Sequence, residues 1–165
     1  MASSACWSGD PVVFSECIKH VEEVAEKALA DCDPKPFVSI GGSTTGKPFE
    51  FIVRELPESV NIGDRSTATT MGMGARGCYR VEFSIACQAW AKRKGVDKAS
   101  ETVLGWAERF IAAIAADRTL GGLAIHAEPF VSQGGTAYEN DRALYLAAMD
   151  LGVRVKAEID PLTIN

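Results

Sequence analysis

Residues 40–48, which read IGGSTTGKP, come close to the spacing of a phosphate-binding loop. In such a loop, backbone N–H groups cradle a phosphate and a lysine supplies positive charge, here Gly41, Gly46 and Lys47. The motif also needs a Ser or Thr after the lysine to hold Mg²⁺, and a helix that starts there. Pro48 occupies that position, and the following FEFIV favours a strand. We therefore interpret the segment as a polar hairpin connection with Lys47 in water, and a nucleotide-binding enzyme built on this loop is the less favoured alternative.

Histidine and cysteine offer little else for catalysis or metal binding. His20 is expected at the border of a helix and His126 in a strand, and no nucleophile has a predictable route to either. The chain has 5 cysteines, an odd number, with no C-x-x-C pair, so their spacing does not indicate a zinc site. We interpret them as reduced thiols, with Cys17 and Cys87 as small core residues. The sequence therefore predicts no catalytic residue, no cofactor and no metal.

Composition predicts one soluble globular domain over residues 1–165, because 47% of the residues are hydrophobic and 24% are charged. The 17 basic and 22 acidic residues give a net charge of −5, which argues against nucleic-acid binding as the main role. No apolar run approaches the length of a membrane span, about 18 residues. The first ten residues lack the basic leader and apolar core of a secretory signal.

Two amphipathic helices are predicted from apolar residues spaced three and four apart. The first is capped by Asp10 and ends near Asp31. The second is capped by Asp97 or Ser100 and stops before Gly121. Each helix has one apolar side, so each is expected to lie on a sheet.

Short runs rich in β-branched and aromatic residues predict strands at Phe37–Ile40 and Phe49–Val53. The run CYRVEFSIACQAWAK alternates cleanly and predicts a central strand whose polar side is interrupted by Trp90. Two further strands are predicted at Leu123–Val131 and Ala143–Ile159. The predicted fold class is α+β: a mostly antiparallel sheet with two amphipathic helices packed on one face.

Residues 57–77 break all periodicity, and we expect them to form a long mobile loop. Loops of this length inside a compact domain are commonly functional. Within it, the GARGC stretch around Arg76 suits a glycine hinge better than a backbone anion site.

The stretch AERFIAAIAADRTLGGLAIHAEP resembles the tail terminator proteins of long-tailed bacteriophages. The resemblance rests on a helix that ends in Ala-Ala-Asp-x-Thr-Leu-Gly-Gly and runs into a strand. Asp117, Thr119, Leu120, Gly121 and Gly122 carry it. The order of the remaining elements also fits, whereas the long loop and the PFVSQGGTAYEND insertion depart from the shorter family members. The turn itself has a plain structural role, with Leu120 folded back on the helix and a glycine as the left-handed C-cap.

This resemblance implies a non-enzymatic structural protein that forms a ring of identical subunits, typically a hexamer. The ring would cap the tail tube and join tail to head, so the implied partners are the tail tube protein and a head-completion or connector protein. The implied location is the virion, with assembly in the host cytoplasm, and no cofactor, membrane or sequence-specific nucleic acid is implied. Another neck or tail component, such as a completion or connector protein, is the nearer alternative.

We expect the apolar sides of both helices to pack on one face of the sheet. Apolar residues on the other face then have no partner within the predicted fold. We expect that face to contact a neighbouring subunit or the tail tube through Trp90, Leu144, Leu146 and Ala148. Charged residues at its other end, among them Arg154 and Lys156, and loop residues are expected to contribute to the same contacts. The loop residues are Arg65, Met71, Met73 and Arg76.

Overall fold

A computed structural model describes residues 13–42, 46–65, 79–139 and 143–159. Two helices and six strands follow one another in these residues. In chain order they are α1 (Val13–Ala28), β1 (Phe37–Ile40), β2 (Phe49–Val53), β3 (Glu58–Arg65), β4 (Tyr79–Arg93), α2 (Val96–Ala115), β5 (His126–Glu139) and β6 (Leu144–Ile159). Neither of the two helices is both long and apolar enough to cross a membrane.

The six strands form one sheet in the order β1-β2-β4-β6-β5, and β3 lies beside β2 along the same edge of β4. β2 pairs with the C-terminal half of β4, whereas β3 pairs with its N-terminal half, from Ser84 to Tyr79. β4 and β6 pair over fifteen residues and form the centre of the sheet. The predicted α+β class with a mostly antiparallel sheet is confirmed.

Both helices pack on the same face of the sheet, as their apolar spacing predicts. In β4, alternate residues from Val81 to Ala91 point to this face and are at most 2% exposed. Phe14 of α1 meets Phe83 edge-on, with ring centroids 4.8 Å apart. Phe110 of α2 packs on Phe51 of β2 at 4.9 Å. We call this side the helix face and the opposite side the open face.

The connection between β1 and β2 is not the predicted hairpin, because these two strands are parallel. The reason is reach: the eight residues 41–48 span up to about 26 Å, whereas a four-residue strand is about 13 Å long. The chain can therefore return to the start of β1 before β2 begins. Gly41, Gly42 and Gly46 take positive φ, as expected of this segment.

The predicted loop over residues 57–77 is wrong in its first part, where β3 forms. β3 could not be predicted from the sequence pattern, because all its residues from Glu58 to Gly63 are exposed. With no buried side, the strand shows no alternation of apolar and polar residues. It is held by backbone pairing with β4, and that pairing shifts register twice. Residues 66–77 lie outside the described residues.

Two other predicted boundaries also differ. β5 starts at His126 and runs to Glu139, so most of the PFVSQGGTAYEND segment is strand paired with β6 and not an inserted loop. α2 is capped by Gly95, in extended backbone, and by neither Asp97 nor Ser100. The cap lies two residues before Asp97 and five before Ser100, and the Ala99 N–H already bonds to the Gly95 carbonyl at 3.0 Å.

Candidate functional site

Lys47 does not lie at a helix N-terminus, because β2 begins two residues later at Phe49, as the sequence predicts. Its Nζ lies 4.9 Å from the centroid of the Phe37 ring, which is a cation–π arrangement at the edge of the sheet. Its carbonyl accepts a hydrogen bond from Trp90 Nε1 at 3.4 Å. The geometry that makes a phosphate-binding loop work, backbone N–H groups at the start of a helix, is replaced by a strand.

His20 is joined to the turn after α2, a contact that sequence reasoning missed. Its Nε2 lies 2.6 Å from Asp117 Oδ2, and the Gly121 N–H donates to Asp117 Oδ1 at 2.9 Å. Partial burial alone would raise the pKa of Asp117. The hydrogen bonds from His20 and Gly121, with the charge of His20, outweigh it and lower that pKa. Since an ionised carboxylate only accepts, Nε2 is the donor.

The turn that carries the family resemblance is built differently from a simple glycine C-cap. α2 ends at Ala115, and its C-cap is Ala116 in right-handed helical backbone. Leu120 itself takes positive φ (49°) and is fully buried, followed by Gly121 (68°) and Gly122 (95°). Burial of the leucine side chain offsets the strain of a left-handed conformation in a residue that has a Cβ. The turn therefore anchors the start of β5 to the core, and Asp117 and His20 tie it to α1.

Other ionisable side chains in the described residues form a local pair on β5 or are buried thiols. His126 Nε2 lies 2.9 Å from Glu128 Oε1 on β5, and this hydrogen bond is the main reason that the pKa of Glu128 is lowered. Burial raises the pKa of Cys17 to about 12 and that of Cys87 further, so both thiols stay protonated at neutral pH. In the described ranges, no group of three His, Cys, Asp or Glu side chains is placed to hold a metal ion.

The open face has an apolar end that contains the residues singled out in the sequence. Trp90 is paired across strands with Ala148, and Leu146 lies opposite Lys92. Trp90, Leu144, Leu146 and Ala148 are all half-buried. Leu146 and Ala148, with residues 133–137 of β5, line a shallow cavity of about 370 Å³. We call these four residues the open-face patch; the structure brings them to one end of one face.

A row of hydrogen-bonded polar side chains borders the open-face patch. Arg54 donates to Gln88 Oε1 at 3.3 Å, and Gln88 donates to Asp150 Oδ1 at 3.2 Å. Gln133 donates to the other Asp150 oxygen at 3.3 Å. Arg54 lies in the connection between β2 and β3, and Gln88, Asp150 and Gln133 lie on β4, β6 and β5. One chain of side-chain hydrogen bonds therefore crosses most of the sheet. Each of these four side chains has a hydrogen-bond partner within the row, and a polar surface of this kind can face water.

Beyond the polar row, the open face becomes charged. Arg154 lies over the Phe130 ring, 5.5 Å from its centroid, and Phe130 in turn packs above Gly152. Arg80 and Glu158 are 3.7 Å apart between neighbouring strands. Lys156 is the cross-strand neighbour of His126. Arg154 and Lys156 thus lie on the same face as the open-face patch but at the opposite end, separated from it by the polar row.

Of the four loop residues proposed for the contacts, Arg65 belongs to the described part of the chain. Met71, Met73 and Arg76 lie outside the described residues. Arg65 closes β3, and its backbone pairs with that of Tyr79 on β4. Comparison of the chain with models of known protein families finds no match, and comparison with curated proteins finds no significant one.

Proposed function

We propose that this chain is a non-enzymatic assembly protein of the tail-terminator type, which forms a closed homo-oligomeric ring at the end of a phage tail tube. The observation that carries the proposal is the open face. Two helices cover one side of a six-stranded sheet, while the other side presents apolar side chains at one end. The same proposal is supported by the Leu120-Gly121-Gly122 turn and by the order of elements, both of which resemble those of tail terminator proteins.

The physical argument concerns the open-face patch. An antiparallel sheet commonly leaves one face in water when that face is polar, and the row through Gln88 and Asp150 behaves in this way. The end that carries Trp90, Leu144 and Leu146 presents these apolar side chains beside one ion pair, in which Lys92 Nζ lies 2.9 Å from Glu139 Oε1. Contiguous apolar surface with a polar border is typical of a protein-binding surface. A neighbouring subunit or the tail tube is the partner that a ring-forming terminator would place there.

The proposal includes a division of partners. The ring binds the tail tube protein on one side and a head-completion or connector protein on the other, at the head–tail junction of the virion. Assembly takes place in the host cytoplasm. Nucleotide, cofactor and membrane have no part in it.

Electron microscopy of the purified protein mixed with tail tubes tests this function. We expect a ring at one end of each tube and at no other place. Binding to isolated heads, or to neither heads nor tube ends, would contradict the terminator role. Binding to heads would point to another neck component.

A charge placed in the open-face patch tests the surface. Leu146→Glu is expected to give a folded protein that has lost ring formation and tube binding, because a carboxylate would be buried in the contact. The control is Leu104→Glu on α2, which makes the same substitution at a more exposed leucine (49% exposed) on the helix side. Circular dichroism checks the fold and sedimentation velocity checks the ring. An intact ring in the Leu146 variant would rule out this surface.

A further inference from the structure

Two stretches of strand in this molecule bury no side chain. Residues 58–63 of β3 and residues 131–138 of β5 are exposed at every position. Large apolar side chains are among them: Val60 is 46% exposed, Ile62 64%, Val131 48% and Tyr138 51%. In both stretches the described chain supplies backbone pairing on one side only, from β4 to β3 and from β6 to β5.

These two stretches lie at opposite lateral edges of the sheet. β5 is the last strand on one side, and β3 lies on the other side of β4, with β4 and β6 between them. Fixing the backbone costs about 1–2 kcal/mol per residue, and a hydrogen bond contributes only about 0.5–1.5 kcal/mol net. A strand that buries no side chain and pairs on one edge is therefore weakly stabilised by its own chain.

The middle of each edge lacks the charged side chains and prolines that usually keep strand edges from pairing with other chains, although charged residues stand at both ends of β3. Charged side chains, prolines and bulges are the usual protection. Residues 131–138, VSQGGTAY, contain no charged residue and no proline, and residues 59–63, SVNIG, contain none either. The bulge in β5 lies between Val131 and Gln133, so it leaves the stretch from Gln133 to Tyr138 regular. β3 has two register shifts, one before Asn61 and one after Ile62, so its regular part is short and centred on these two residues.

We infer that β5 of one copy of this chain pairs through its free edge with β3 of the next copy, so that the sheet continues from subunit to subunit. This inference rests on the proposed ring and specifies its subunit contact. Two different edges of the same molecule make a head-to-tail contact, which is the kind that closes into a ring. Pairing of β5 with β5 would instead give a two-fold dimer and would leave β3 without a partner.

The β5 edge is continuous with the open-face patch. Ala137 of β5 is the cross-strand partner of Leu146, and residues 133–137 line the same shallow cavity. A strand added beside β5 would bring its side chains next to this cavity. The edge contact therefore shelters apolar surface as well as backbone groups.

Cross-linking between introduced cysteines tests the pairing directly. The background replaces Cys6, Cys32 and Cys78 with serine and keeps the buried Cys17 and Cys87. Ile62→Cys is combined in turn with Gln133→Cys and with Ala137→Cys, and a short bismaleimide linker tolerates an unknown register. We expect at least one double variant to give a ladder of covalent oligomers that ends at the size of the ring, while each single variant stays monomeric in denaturing gels.

The outcomes separate this inference from the proposed function. A ring in sedimentation without cross-links in either double variant would overturn the edge pairing and leave the ring intact. Covalent dimers from Ala137→Cys alone would overturn it in favour of β5–β5 pairing. A protein that stays monomeric in the presence of tail tubes would overturn the ring itself.

A lysine at the edge provides a second measurement, because lysine is a common natural protection of strand edges. Ala137→Lys is expected to weaken ring formation at least tenfold in protein concentration while the circular dichroism spectrum is unchanged. Leu104→Lys on the exposed side of α2 is the matched control and should leave the ring unaffected. Equal ring stability in the two variants would contradict the edge contact.

Discussion

The helix face and the open face of the sheet belong to the same strands, yet they are completed in different ways. On the helix face, Phe83 and Ile85 of β4 are no more than 1% exposed and contact a continuous apolar core. On the open face, Gln88 of the same strand takes part in a polar row. Trp90, two residues further on, remains half-buried.

This difference separates stability from interaction. Apolar burial on the helix face supplies the main favourable free energy of folding, at about 25 cal/mol per Å² removed from water. The polar row adds little net stability, because its groups exchange hydrogen bonds with water for hydrogen bonds with one another. Substitutions on the helix face should therefore reduce stability, whereas substitutions in the open-face patch should reduce binding.

The largest effect is expected from Phe83→Ala, which removes a fully buried ring that contacts Phe14. The free energy of unfolding should fall by about 3–5 kcal/mol. Trp90→Ala removes a larger ring from the open face of the same strand and should cost less than half as much. Urea denaturation of both variants measures the contrast, and equal losses would show that the two faces do not differ as described.

A second prediction tests whether the open face is closely packed around Gly152 of β6. A Cβ at Gly152 would collide with the Ile85 carbonyl oxygen and lie 3.0 Å from the Phe130 ring. Gly152→Ala should therefore destabilise the fold by about 1–3 kcal/mol. Gly135→Ala on β5 is the control, because nothing lies within 4 Å of its added Cβ. A neutral Gly152 variant in thermal unfolding would mean that this part of the face is as open as the patch.

A third, smaller effect is expected at the link between α1 and the turn after α2. Asp117→Asn weakens the hydrogen bonds with His20 and Gly121 and should cost about 1 kcal/mol at neutral pH, since the pair is only partly buried. The folded-state pKa of Asp117 is lowered, so its contribution is present above the unfolded carboxyl value of about 4 and is lost as pH falls through the folded value.

Unfolding measured against pH checks this third prediction. The stability of the wild-type protein should fall more steeply below about pH 4 than that of Asp117→Asn, so the two curves converge in acid. Parallel curves would mean that the Asp117 carboxylate is not stabilised in the folded state.

The smallest effect is expected at the glycine-rich connection. Lys47→Ala removes an exposed side chain that contacts the Phe37 ring and should change stability by no more than about 0.5 kcal/mol. Ring formation should also be unchanged, because the hydrogen bond from Trp90 of the open-face patch goes to the Lys47 backbone carbonyl, which alanine retains. An assay of phosphate release from ATP provides the decisive readout. A loss of such release on substitution of Lys47 would contradict the assignment of this segment as a connection.

Helices and strands that bury one of their sides could be predicted from the amino-acid pattern alone. The alternation from Tyr79 to Ala89 predicted β4 and its buried face, and the three-and-four spacing in α1 predicted the residues that pack, such as Cys17 and Val21. The sequence also predicted an apolar end on the other side of the sheet, because Trp90 interrupts the polar side of its strand and the last strand begins with Leu144, Leu146 and Ala148 on one side. A buried side requires apolar residues at a regular spacing, so these features can be predicted without a structure.

Elements and contacts that leave no burial pattern in the sequence became apparent only from the folded chain. β3 and the second half of β5 pair through backbone groups that every residue carries, so their side chains give no alternation. The parallel pairing of β1 and β2 depends on the length of a connection rather than on its composition. His20 meets Asp117 across 97 positions of sequence because α1 and α2 pack side by side on the helix face. The sheet brings together residues that no local pattern relates.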